Sequence, residues 1–263
     1  MRLNLQKSLF ILPNLFTLSS VFCGFYAIRL CAGTPSGDEF YRAAMLIIFA
    51  MFFDTIDGRV ARLTRTQSAF GLQLDSLADV ISFGVAPAML VYSWALAPLG
   101  PFALAATFAY VACGAIRLAR FNVLATARDG TPAKPGKYIL GLPIPGAAGI
   151  LVSLVAANHV VSGGLTASPM PIVGIVVALS FFMVSTIKFR SFKDLRASWR
   201  TVLLIGFAVS SSLVLALTLH IAFAIGWLLV SYVAVGLVET LLGVSRRGRR
   251  DLREQGKDSQ AAA

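Results

Sequence analysis

The chain has 263 residues, of which 57% are apolar and only 13% charged, with a formal net charge of +11. That balance is too apolar for a soluble globular domain and describes a helix bundle in lipid. The positive charge does not describe a nucleic-acid binder, because the basic residues are scattered between apolar spans. Cytoplasmic loop bias and anionic headgroups account for them.

Arg2 and Lys7 precede the first apolar run, and no small-x-small cleavage pattern follows cleanly, so the run is read as a retained span. Helix 1 is expected to start at Pro13, where a proline in the first turn costs little, and to end near residue 30. A turn-rich loop follows at 33–39, then helix 2 at about 40–65 and helix 3 at about 71–95. Ala97-Pro-Leu-Gly-Pro101 turns the chain into helix 4, which ends at about Asn122.

Residues 123–138 read as a polar basic loop with Arg128, Lys134 and Lys137. Gly141-Leu-Pro143-Ile-Pro145 then opens helix 5 irregularly, which is tolerated at membrane depth chiefly where backbone lines a cavity. Helix 5 ends near His159, and helix 6 takes about 171–186. After a basic connection at 188–200, helices 7 and 8 take about 201–219 and 221–244. The reading is an all-α transmembrane bundle of about eight spans over 1–244, with a basic, disordered tail at 245–263.

Eight spans put both termini on one side. Of the 23 Lys and Arg residues, only Arg29 and Arg42 fall near the loops after helices 1, 3, 5 and 7, so the other 21 mark the cytoplasmic side. Both termini are then cytoplasmic, in the inner membrane of the cell.

Four acids stand out in this frame: Asp54 and Asp57 late in helix 2, and Asp75 and Asp79 early in helix 3. Steps of three and four residues put each pair on one helix face, and the short link between the helices lets the pairs converge. Carboxylates are costly in a membrane, and four this close would repel unless a cation neutralised them. Oxygen-only ligands suit Mg²⁺ or Mn²⁺ and not zinc, and the expectation is a site for two ions. Gly58 and Ala61, one turn from the acids, leave room for a ligand on that face. Arg62 offers a planar donor fork for phosphate.

The spacing D-x-x-D-G-x-x-A-R-x8-G-x3-D-x3-D, from Asp54 to Asp79 through Gly71, resembles without gap or substitution the signature of the CDP-alcohol phosphotransferases. Members of that family are integral-membrane enzymes that pass a phosphatidyl-type group from a CDP-linked donor to an alcohol, releasing CMP. The resemblance implies that Asp79 is the base taking the acceptor proton, while Gly58, Ala61, Arg62 and Gly71 line the CDP moiety. Pro13-Asn14-Leu-Phe-Thr17 resembles the family's first helix, which implies that Asn14 and Thr17 lie near the cytidine. A homodimer is also implied.

Residues 75–87, 117–122 and 141–145 further resemble the family's membrane-embedded phosphatidylserine synthases. The implied substrates are CDP-diacylglycerol and L-serine, with Arg117, Arg120, Ser82 and Asn122 as candidate acceptor-binding residues. Another acceptor, such as glycerol 3-phosphate, inositol phosphate or an amino alcohol, is the neighbouring alternative. A divalent-cation transporter is the alternative of another class, and it would want acids along the full membrane depth. His159 and His220 fall at the opposite side and read as non-catalytic. Glu239 reads as a helix-pairing residue, and Cys23, Cys31 and Cys113 as small packing residues with no ligand spacing.

Overall fold

A computed structural model describes residues 5–64, 66, 68–125, 138–161, 168–190, 199–218, 220, 222–231 and 233–235. Arg128, Lys134, Lys137, Glu239 and the tail from Ser245 lie outside the described residues.

Helix α1 spans Leu5–Cys31, with Pro13 inside it and not at its start. The expected start is therefore corrected by eight residues. Proline removes one helical N–H bond, but a continued helix keeps the remaining backbone groups paired, which matters most in lipid. Helix α2, Gly37–Leu63, begins before the expected position because Ser36 and Glu39 form a reciprocal cap. The Ser36 N–H donates to Glu39 Oε2 at 2.7 Å, and the Glu39 N–H donates to Ser36 Oγ at 3.3 Å. A seam that includes Cys23, Ala27 and Cys31 on α1 and Ala43, Ala44 and Ile47 on α2 is buried. Small side chains let these helices approach closely.

Helix α3, Ala69–Asp79, runs on through a π turn at Val80–Val85, α4 at Ala86–Val91, a second π turn at Tyr92–Leu96 and a 3₁₀ turn at Ala97–Leu99. Together these make one helical span, Ala69–Leu99. The first π turn has a local cause. Pro87 has no N–H to offer the Phe83 carbonyl four residues earlier, and that oxygen instead accepts from the buried Tyr110 hydroxyl at 3.1 Å. The π turn also packs tightly on α1: a Cβ at Gly24 would lie 2.8 Å from Ser82 Cα.

Helix α5 is Pro101–Ala125, α6 is Ile144–Val160, α7 is Pro169–Val184 and α8 is Trp199–Thr218, with a further apolar helical stretch at Ala222–Val235. Phe83, Leu90, Ile47, Ile144, Leu151 and Met183 are fully buried at the centre of the bundle. Among the described residues, three helices are long and apolar enough to cross a membrane: Leu12–Cys31, Ala69–Leu99 and Pro101–Leu124. Ile144–Val160, Pro169–Val184, Gly206–Thr218 and Ala222–Val235 are apolar but shorter. Large outward side chains such as Phe22, Phe25, Phe108 and Phe181 are exposed, as a lipid-facing surface requires.

One departure from an all-helical chain is a small antiparallel pair, β1 at Tyr138–Leu140 and β2 at Lys188–Arg190. Tyr138 pairs with Arg190, Ile139 with Phe189 and Leu140 with Lys188. These segments read as the edges of basic loops because three residues are too few for an alternating pattern to show. Gly141 closes the pair at φ +76°, donating its N–H to the Ile187 carbonyl at 2.9 Å. A Cβ there would collide with the Met183 carbonyl, so both conformation and space call for glycine.

Candidate active site

The site is built where α2 ends and α3 begins. A short polar link holds the two together: Thr64 Oγ1 donates to the Val60 carbonyl at 2.7 Å, and the Thr64 and Thr66 hydroxyls meet at 2.8 Å. The Thr66 N–H returns to the Ala61 carbonyl at 3.0 Å, and Ser68 caps α3 by accepting from the Gly71 N–H at 3.0 Å. So tight a link returns the chain beside its own last turns. Asp54, Asp57 and Asp75 thereby each bring a carboxylate oxygen within 4.8 Å of the others.

Asp79 lies close to Asp54, and its Oδ1 is buried without a hydrogen-bond partner among the described residues. Carboxylates in contact need a cation or a shared proton between them, and a buried oxygen without a donor is itself costly. The donor set is all oxygen, convergent and anionic, so the residues fit a hard divalent cation such as Mg²⁺ or Mn²⁺.

Around the acids, Thr17 on α1 donates its hydroxyl to Asp57 Oδ2 at 2.7 Å. Asn14, one turn earlier, faces Gly71: its Oδ1 lies 3.9 Å from where a Gly71 Cβ would stand. Gly58 and Ala61 are half-buried and Arg62 is exposed at the rim, with its guanidinium over Gly58. The structure thus gathers Asn14, Thr17, Gly58, Ala61, Arg62 and Gly71 around the four aspartates.

The expected acceptor residues separate. Arg117 is buried on α5, close enough to Asp79 to attract it electrostatically. Arg120, one turn on, donates to the carbonyls of Val184 at 2.8 Å, Ser185 at 3.2 Å and Met183 at 3.4 Å. It caps the C-terminus of α7, where a cation meets the negative end of the helix dipole. Ser82 is fully buried and donates to the Ser20 carbonyl at 3.0 Å, serving the packing of the π turn on α1. Asn122 donates to Ser76 Oγ at 2.9 Å and so ties α5 to the helix turn between Asp75 and Asp79. Sequence reasoning missed Ser76; a small polar residue beside two intramembrane acids was the signal on offer.

The histidines stand elsewhere. His159 ends α6, stacks on Tyr41 with ring centroids 4.5 Å apart and meets Asp38 at 3.9 Å. Asp38 lies 16 residues before Asp54 on the same helix, roughly 24 Å away at about 1.5 Å per residue. His220 Nδ1 accepts from the Ala222 N–H at 3.2 Å.

Comparison with known sequences bears on this geometry. The sequence model of the CDP-alcohol phosphatidyltransferase family matches residues 10–244. A Helicobacter pylori (strain J99) protein is 38% identical over 200 residues, covering 75% of this chain and 79% of its own. A Bacillus subtilis protein is 35% identical over 182 residues, 69% of this chain and 91% of its own. A Saccharomyces cerevisiae protein is 42% identical over 139 residues, 51% of this chain and 49% of its own. Each of the three is named CDP-diacylglycerol–serine O-phosphatidyltransferase.

Proposed function

Because the chain belongs to the CDP-alcohol phosphatidyltransferase family, we propose that it transfers the phosphatidyl group of CDP-diacylglycerol to the hydroxyl of L-serine, releasing CMP. The observation that carries this reading is the convergence of Asp54, Asp57 and Asp75 within 4.8 Å where α2 ends and α3 begins. The names of the relatives support serine as the acceptor.

Asp54, Asp57 and Asp75 would hold divalent cations, Mg²⁺ or Mn²⁺ and two in number, with Asp79 reaching the second. Such ions neutralise a diphosphate and ease departure of its leaving group. Asp79 takes the proton of the serine hydroxyl, for which its unpartnered buried oxygen is suited. The serine oxygen bonds to the phosphatidyl phosphorus as the bond from that phosphorus to the bridging oxygen breaks, and CMP leaves with the bridging oxygen. Arg117, beside Asp79, holds the serine carboxylate. Arg62 pairs with the diphosphate at the rim, Gly58, Ala61 and Gly71 leave it space, and Asn14 stands at the nucleotide end.

The catalytic domain is residues 1–244 and crosses the inner membrane about eight times. Both termini and the mouth of the site face the cytosol, where nucleotide-linked donors are made. The distribution of Lys and Arg supports this orientation.

The test is CMP release by protein purified in detergent with CDP-diacylglycerol and Mn²⁺, comparing L-serine, glycerol 3-phosphate and inositol phosphate as acceptors. Serine-dependent release that falls by about 10²–10⁴ in Asp79→Asn supports the reading. Release with another acceptor keeps the family and overturns serine, and folded protein inactive with all three overturns the activity.

A further inference from the structure

We infer that Thr17 is a positioning residue for the metal site, holding the Asp57 carboxylate in its ligating orientation from a neighbouring helix. The inference rests on the reading above that the aspartates bind divalent cations. It differs from the expectation that Thr17 sits at the cytidine.

The hydrogen bond from Thr17 Oγ1 to Asp57 Oδ2 is 2.7 Å long, within the range of charge-assisted O–H···O⁻ bonds. Both ends are buried, Thr17 at 5% and Asp57 at 4% exposure. Water therefore has little access to either end of the bond. Thr17 Oγ1 also lies 3.1 Å from the Pro13 carbonyl in its own helix. A hydroxyl has one proton, and the shorter contact to a carboxylate is the stronger claim on it.

The donor itself is held still. Phe16 stacks on Phe53 of α2 with ring centroids 6.5 Å apart, and Ser20 meets Ser82 at 3.3 Å one turn further along α1. Thr17 stands between these two anchors, and its β-branched side chain has little χ1 freedom. Asp57, by contrast, faces Asp54 and Asp75 within 4.8 Å, and their repulsion would rotate it away before any cation arrived. A fixed hydroxyl donated from the neighbouring helix holds the Asp57 carboxylate against that rotation. Outer partners of this kind typically set metal affinity within a factor of about 10–100.

The experiment measures Mn²⁺ binding to nucleotide-free protein by electron paramagnetic resonance, for wild type, Thr17→Val, Thr17→Ala and Thr17→Ser, with melting temperatures recorded in EDTA. Thr17→Val keeps the shape and loses the donor, and it should weaken Mn²⁺ binding about 10–100-fold, as should Thr17→Ala. Thr17→Ser should bind within about threefold of wild type. Wild-type affinity in the valine and alanine variants overturns the inference. So does unchanged metal affinity accompanied by a raised KM for CDP-diacylglycerol, which would return Thr17 to the nucleotide. Wild-type protein that takes up no Mn²⁺ overturns the metal reading itself and this inference with it.

Discussion

The Tyr110 hydroxyl donates to the Phe83 carbonyl at 3.1 Å, supplying the hydrogen bond that Pro87 cannot. Both side chains are fully buried, so no solvent stands in if the donor is lost. Tyr110→Phe removes only that hydroxyl and leaves a buried carbonyl unpaired, at a cost of about 1–3 kcal/mol. The expected result is a melting temperature in detergent lower by several degrees, with Mn²⁺ affinity close to wild type, since the Asp cluster precedes the π turn.

Arg117 and Arg120 sit one turn apart on α5 and should fail differently. Arg117→Met removes the cation near Asp79 and should raise the KM for serine about 10–100-fold, the worth of a charged hydrogen bond. Arg120→Met uncaps α7 and should chiefly lower the melting temperature, with Arg120→Lys only a partial rescue because an ammonium lacks the planar fork that spans several carbonyls. Parallel melting and steady-state kinetics separate the two.

Gly58→Ala should divide stability from activity. An added Cβ would meet only the flexible Arg62 guanidinium, at 3.5 Å, and alanine is favoured over glycine in a helix by about 0.8–1.0 kcal/mol. The variant should therefore fold at least as stably as wild type. If the donor diphosphate passes over this face, its KM for CDP-diacylglycerol rises; unchanged kinetics would remove Gly58 from the substrate path.

Chelation should be reversible and specific to the cluster. EDTA is expected to abolish CMP release and Mn²⁺ to restore it. Asp75→Asn, which withdraws one of the three converging carboxylates, should lose both Mn²⁺ binding and activity. Retained activity in EDTA-treated protein would show that the aspartates act without a cation.

Gly141→Ala should be the most disruptive of the small substitutions. It asks a β-carbon to share space with the Met183 carbonyl at a positive φ. The expected loss is in folded yield and melting temperature, read by size-exclusion profile and thermal scan.

The helical class and the grouping of the four aspartates were both legible in the chain, for a local reason. Apolar run length reports a membrane helix directly, and steps of three and four residues place side chains on one face whatever surrounds the helix. The cap at Ser36 is local too, set by the three-residue interval to Glu39, but the reading of 33–39 as a loop passed over it. Tertiary structure decided what each polar side chain does. Arg120 resembles Arg117 in sequence, yet one meets the end of α7 and the other approaches Asp79, because residues one turn apart on α5 face different neighbours in the bundle. Thr17 likewise shows its partner only when α1 lies on α2 and a residue 40 positions away comes within 2.7 Å. Hydrogen bonds between helices depend on packing and register, and no local spacing in the chain encodes them.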